Sequence, residues 1–177
     1  MMKKVIMDVL SIDKTLNRLS HEILERFSFI DNIVLIGIHK RGVPLAKRIK
    51  NKIKDINGTE LKTGALDITF HRDDYRERLI MPEVKGTEVS FSLDNKIVIL
   101  VDDVLYTGRT IRAALEELNS FGRAEKVQLA VLVDRGHREL PIKADFVGKN
   151  IPTHEGEHVN VLLKEIDDEE SVVLIKN

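Results

Sequence analysis

Three runs of β-branched and aliphatic residues constrain the fold most: Ile33–Ile38, Val98–Val101 and Val127–Val133. Each reads as a strand buried on both faces, the kind found in parallel sheets covered by helices. Behind the first run, Leu45, Ile49 and Ile53 recur at helical spacing, with Pro44 near the first turn. Behind the second, Ile111, Ala114, Leu115 and Leu118 do the same. Strands alternating with amphipathic helices predict an α/β chain with a mostly parallel sheet. In such sheets ligands bind beyond the carboxyl ends of the strands.

The residues at those ends carry chemistry. The second run stops at Asp102-Asp103 and continues Val104-Leu105-Tyr106-Thr107-Gly108-Arg109-Thr110 into its helix. Gly108 lets the backbone approach an anion closely. Thr107 and Thr110 offer hydroxyl donors, and the unpaired N–H groups of a helix start supply the rest of a phosphate nest. Two carboxylates cannot hold a phosphate. They suit sugar hydroxyls, or a Mg²⁺ carried by a diphosphate. The ligand read from this string is a sugar with a terminal phosphate, and a magnesium-bound diphosphate with it. The plainer reading is a strand-to-helix turn with Thr caps and solvated Asp residues. The first run ends at His39-Lys40-Arg41-Gly42. There Arg41 could grip phosphate oxygens in a fork and Lys40 add a point charge, unless this is only a surface loop.

Val5–Met7 predicts a short opening strand, and Ser11 or Asp13 could cap a helix running to about Phe27. Its apolar stripe is Ile12, Leu16, Leu19 and Ile23; Lys14, Asn17, Arg18, His21 and Glu25 lie opposite, which spacing alone reads as a solvated face. Leu66–Phe70 alternates as a strand. The charge-dense stretch from His71 to about Phe91 shows no sustained apolar period, and reads as a long arm or hairpin, either a lid or a plain insertion. Arg72 and Lys85 are its cations of interest. Asp134–Thr153 is rich in turn formers and cations, Val159–Leu163 and Ser171–Ile175 predict late strands, and the acidic run Glu165–Glu170 reads as a solvated turn. There is no repeat, low-complexity segment or second-domain boundary, so residues 1–177 are expected to form one domain.

A formal net charge of −1 excludes a polyanion binder as a whole, so any nucleic-acid site must be a local basic patch. The absence of cysteine excludes disulfides and thiolate metal sites. No run approaches the roughly 20 apolar residues of a membrane span, and Met1–Leu10 lacks a signal core. The expected location is cytoplasmic.

The string Val98–Thr110 resembles the phosphoribosyl pyrophosphate (PRPP) motif of type I phosphoribosyltransferases. That resemblance implies a mostly parallel sheet flanked by helices, with a small hood over the site, and a Lys40–Arg41 loop holding pyrophosphate, often through a cis peptide. The stretch D-R-G-H-R-E-L-P-I-K-A-D-F-V-G-K-N-I-P-T, Asp134–Thr153, resembles the hood of the PyrR family, regulators of pyrimidine operon attenuation that are also uracil phosphoribosyltransferases. R-L-S-H-E-I at Arg18–Ile23, L-D-I-T-x-x-R-D-D at Leu66–Asp74 and V-K-G at Val84–Gly86 match it too. The hood would come largely from residues 134–163.

The resemblance implies transfer of ribosyl 5-phosphate from PRPP to N1 of uracil, giving UMP and pyrophosphate, with Mg²⁺ accompanying PRPP and no metal held by the protein alone. Asp102 and Asp103, with Arg72 and Lys85 from the lid, would be the catalytic set. Lys40, Arg41 and the stretch Asp102, Asp103, Val104, Leu105, Tyr106, Thr107, Gly108, Arg109 and Thr110 would bind PRPP and nucleotide. Arg135 and the backbone at Phe146 and Val147 would read uracil, with the Phe146 ring stacked on it. Tyr106 stands where purine enzymes of the fold usually place an Asp. A phenol is a poor base at neutral pH, and uracil needs one less, so this tilts the reading to pyrimidine, unless the ring merely packs. The family binds a hairpin in the leader of its pyrimidine operon mRNA more tightly with UMP, and Arg18, His21, His137, Arg138, Lys143 and Lys149 match its RNA face. Two departures stand there: Asn17 where Thr is expected, and Lys143 where Arg is usual, keeping charge but losing the fork. A homodimer or higher homo-oligomer is implied. The alternatives are an RNA-binding regulator with vestigial catalysis, and a purine salvage enzyme without an RNA role.

Overall fold

The computed structural model describes residues 2–69 and 86–176. Arg72, Lys85 and most of the expected arm at 71–91 lie outside the described residues.

In chain order the elements are β1 (Met2–Met7), α1 (Val9–Arg26), β2 (Ile33–Ile38), α2 (Gly42–Asn57), β3 (Lys62–Leu66), β4 (Ile97–Leu105), α3 (Arg109–Leu118), β5 (Lys126–Asp134), β6 (Phe146–Asn150), β7 (Glu157–Leu162), α4 (Lys164–Asp167) and β8 (Ser171–Lys176). Among the described residues they build a parallel sheet ordered β3-β2-β4-β5-β6 and a smaller antiparallel sheet ordered β1-β8-β7. The apolar runs are the middle strands of the parallel sheet. Alternation along each strand sends its side chains to two cores. Ile33, Leu35, Ile99 and Val101 pack with Leu16, Ile23, Leu45 and Ile49 of α1 and α2. Val34, Ile36, Val98 and Leu100 pack with Ile111, Ala114 and Leu118 of α3. Each fully buried aliphatic side chain contributes about 1.5–3 kcal/mol, so these two layers hold the sheet. Among the described residues no helix is long and apolar enough to cross a membrane.

Several local expectations are corrected. The first helix starts at Val9, capped by Asp8, whose carboxylate accepts from Ser11 N–H at 2.8 Å. Val9 and Leu10 in its first turn are exposed, so the apolar stripe gives no sign of that start. In α3 Ala113 is buried and Leu115 is not. β3 runs earlier than expected and ends at Leu66, because the Asp67 carboxylate turns the chain by accepting from Thr69 N–H at 2.9 Å. The small sheet unites the N-terminal strand with β7 and β8, whereas Phe146–Asn150, expected in the hood, is the edge strand of the parallel sheet. The acidic run is not a solvated turn. Arg48 of α2 is bonded to Glu165 and Glu170 through distances of 2.6–3.1 Å, and Arg41 to Asp167, so the run fastens the small sheet to α2.

Candidate active site

Parallel register brings the expected groups to one end of the sheet. Gly37 lies beside Val101, and Leu105 beside Asp134, so the loops after β2, β4 and β5 are neighbours. The loop after β2 contains a cis peptide between His39 and Lys40. It lies hard against the central strand: a Cβ on Gly42 would sit 2.2 Å from the Val101 carbonyl oxygen, so only glycine fits. Lys40 is exposed. Arg41, expected on phosphate, has its fork on Asp167, with Nη2–Oδ1 at 2.7 Å and Nε–Oδ2 at 3.1 Å. That carboxylate raises the Arg41 pKa, and Arg41 in turn holds Asp167 below the usual carboxylate range.

At the end of β4, Asp102 is buried and Asp103 partly so. Asp102 Oδ1 accepts from the Asp103 N–H at 2.9 Å, and Asp103 Oδ1 from the Val104 N–H at 2.9 Å, which orients both carboxylates. Burial pushes the Asp103 carboxyl up; bonding to Asp102 and to Val104 N–H and the Arg41 charge act against it. Val104 and Leu105 carry the strand on, and both pack in the interior. Gly108 then takes the left-handed region at φ 95°, directly before α3, which starts without a side-chain cap. A helix start of this kind presents N–H groups to an anion. Thr107 Oγ1 accepts from Arg109 N–H at 3.3 Å, while Arg109 Nε donates to Glu139 at 2.7 Å. Thr110 is partly buried in the first turn of α3.

The loop after β5 packs against Tyr106. Gly136 and His137 both have positive φ, 78° and 59°, and the turn is held by Asp134, which accepts from Gly136 N–H at 3.0 Å and pairs with Arg138. Arg135 is buried, donating to Thr153 Oγ1 at 3.1 Å and the Glu157 carbonyl at 2.6 Å. Its guanidinium lies 4.0 Å from the Tyr106 ring centroid, a cation–π contact. His137 meets the same ring edge-on at 6.2 Å. Tyr106 nevertheless stays 44% exposed, offering an aromatic surface at the strand end.

The Phe146 ring does not stack on a ligand. It is 1% exposed, packed in the α1 core with Arg26 over its face at 4.7 Å, because Ala130–Phe146 pairing turns it inward. Val147 lies beside Val131 and is half-buried. Of the expected RNA cations, Arg18 leaves α1 to donate to the Gly148 carbonyl of β6 and to pair with Glu22. Lys149 Nζ lies 3.5 Å from the Ile6 carbonyl, and His21 and Lys143 are exposed. His137 Nε2 is bonded to the Thr153 carbonyl at 2.6 Å, and Arg138 is turned inward.

Four residues at the site escaped sequence reasoning: Asp67, Asp134, Thr153 and Asp167. Asp67 ties Thr69 to Gly86, accepting from both N–H groups. The D-x-T and D-x-G spacings of Asp67 and Asp134 are turn signals that mark them. Thr153 and Asp167 act across the fold on Arg135 and Arg41 and carry no local signal.

A model of the phosphoribosyl transferase domain matches residues 6–166. The chain is 55% identical over 174 residues to Bifunctional protein PyrR of Pelotomaculum thermopropionicum, covering 98% of this chain and 96% of that one. It is 54% identical to the protein of the same name from Clostridioides difficile, covering 97% of each. Among solved structures, a hypoxanthine phosphoribosyltransferase of Staphylococcus aureus superposes with a TM-score of 0.70 at 20% identity, over 98% of this chain and 92% of that one. One from Trypanosoma cruzi gives 0.74 at 17%, over 98% and 91%. The fold is shared across these, and with strand ends, loops and carboxylates arranged as above, the chain belongs to the phosphoribosyl transferase domain family.

Proposed function

We propose that this protein transfers ribosyl 5-phosphate from PRPP to N1 of uracil and, with UMP bound, binds the leader hairpin of its pyrimidine operon mRNA to regulate attenuation. The observation that carries the first half is the meeting of the phosphate loop, the oriented carboxylates and an exposed Tyr106 face at the ends of β4 and β5. The relatives at over half identity carry the name Bifunctional protein PyrR, which supports both halves.

In transfer, the bond from the sugar carbon to pyrophosphate breaks as N1 of uracil bonds to that carbon, and the N1 proton leaves to solvent. Positive charge develops on the sugar ring, as in other glycosyl transfers. Asp102 and Asp103 hold the ribose hydroxyls on that side, and Thr107–Thr110 hold the 5-phosphate, so catalysis is positioning and electrostatics. Mg²⁺ carried by PRPP would meet the carboxylate oxygens of Asp102 and Asp103, the ligand type a hard cation favours, and would offset the charge of the leaving pyrophosphate. Lys40 faces the leaving pyrophosphate; Arg41 joins it once the phosphate competes with Asp167 for the fork. Arg72 and Lys85 complete the expected catalytic set and lie outside the described residues. Uracil meets Tyr106, with Arg135 behind the ring and the backbone at Val147 toward its edge. The second half rests on Arg18, His21, His137, Lys143 and Lys149 about the β6 edge. An open groove of about 420 Å³ lined by Asp8, Leu10, Ser11, Lys14, Thr15 and Arg18 lies next to it. Salt-dependent phosphate contacts and a pocket for splayed bases are how RNA loops are read. The protein works in the cytoplasm as a homodimer or larger homo-oligomer.

The test is PRPP-dependent nucleotide formation with uracil, hypoxanthine and guanine, and leader-RNA binding with and without UMP. Uracil turnover alone, with RNA binding tightened by UMP, is expected. Purine turnover overturns the substrate, and RNA binding no better than to a scrambled hairpin overturns the regulator.

A further inference from the structure

Arg138 departs furthest from its expected role. A cation that meets RNA phosphates should reach into solvent, yet its side chain is only 23% exposed. Nη1 donates to the Tyr106 carbonyl at 2.7 Å and the Gly136 carbonyl at 3.4 Å, and Nε to the Ile142 carbonyl at 2.9 Å. Nη2 pairs with Asp134. All three guanidinium nitrogens therefore end on protein acceptors. A planar fork spread over separate carbonyls and a carboxylate is a cross-brace that a lysine cannot reproduce.

What it braces is the candidate transfer site. Tyr106 is held from two sides, its ring by Arg135 and its carbonyl by Arg138. One residue on, the Thr107 carbonyl accepts from the N–H groups of Glu139 and Leu140 at 2.9 and 3.1 Å. We propose that Arg138 is a positioning residue for the transfer reaction. It fixes Tyr106, and through it the phosphate loop, and makes that loop one body with the segment that presents His137 and Lys143. The proposal rests on the reading of Asp102–Thr110 as the PRPP loop. It also supplies a route for nucleotide-dependent RNA binding: a phosphate that orders the loop orders the basic segment fastened to it.

Arg138→Ala and Arg138→Lys separate this from a direct RNA contact, since lysine keeps the charge and loses the brace. Both variants should raise KM for PRPP and lower kcat/KM by about 10–100-fold, the scale of a small misplacement of reacting groups. Arg138→Lys should keep the RNA affinity measured without nucleotide, while its enhancement by UMP falls. Methylguanidinium should restore part of the activity of Arg138→Ala and none to Arg138→Lys. If Arg138→Ala does not fold, the lysine variant carries the test. The chain has two tyrosines, Tyr75 and Tyr106, so fluorotyrosine labelling gives a resonance for the braced ring; a shift of that resonance supports the brace. An unshifted resonance with wild-type KM and kcat in Arg138→Lys overturns it. A wild type that neither binds PRPP nor makes UMP overturns the parent reading, and this proposal with it.

Discussion

Asp103 is costly where it stands. Burial raises its pKa. Between the unfolded carboxyl value, about 3.9, and that higher folded value, the folded protein holds a proton the unfolded chain has lost. Stability therefore falls as pH rises through this interval and stays lowered above it. Asp103→Asn removes the charge, so the free protein should melt at a higher temperature than the wild type at pH 7, with the gap closing as pH drops below about 4. The same variant should lose about 100-fold or more of transfer activity, the scale of deleting one preorganised electrostatic group. Thermal melts across pH, paired with UMP formation, check both. Residue types were legible at this scale: D-D, T-G-R-T and K-R-G stand where the strand-end argument puts them. Side-chain direction was not. The Phe146 ring and the Arg41 fork turn away from their expected targets because β6 pairing and Asp167 decide where they point.

At the scale of elements, the attachment of the small sheet rests on two arginines of the α2 region meeting the acidic run after β7. The Arg41–Asp167 pair is partly buried, 30% and 15% exposed, and bidentate, so it outweighs an ordinary surface pair. Asp167→Asn should lower stability by about 1–3 kcal/mol at pH 7. The sign with pH is opposite to that of Asp103. The depressed Asp167 pKa gives stability that is present above the unfolded value and is lost as pH falls through the folded one, so wild type and Asp167→Asn should converge in acid. Urea unfolding at pH 7 and at pH values below about 3.9 measures it; a gap that widens in acid would contradict the pairing. Helical and strand periods disclosed α1, α2 and the three buried strands. Nothing in Glu165–Glu170 discloses partners more than 100 residues earlier.

For the whole molecule, a net charge of −1 means that RNA affinity must come from a local patch and must show in its salt dependence. With the RNA face as proposed, Lys149→Ala removes one phosphate contact, and should weaken leader-RNA binding and reduce the slope of log affinity against log salt by about 0.7–0.9. Lys149 is exposed on the β6 edge, so its loss should leave UMP formation unaltered in rate. Affinity measured across a salt series tests this, and an unchanged slope would place the RNA elsewhere.

By itself the sequence determined the parallel core, since runs buried on both faces fit few other folds, and the place of the strand-to-helix loop proposed to hold phosphate, whose residues are contiguous. It determined the family for the same reason: the signature is local. Only the tertiary structure decided how the hood is built, because β1 joins β8 across nearly the whole chain length. Only it showed that D-R-G-H-R is a clamp on Tyr106, with Arg135 on the ring and Arg138 on the carbonyl. An arginine's sequence gives its charge and reach. Which acceptors fall within that reach depends on strands brought together from distant parts of the chain.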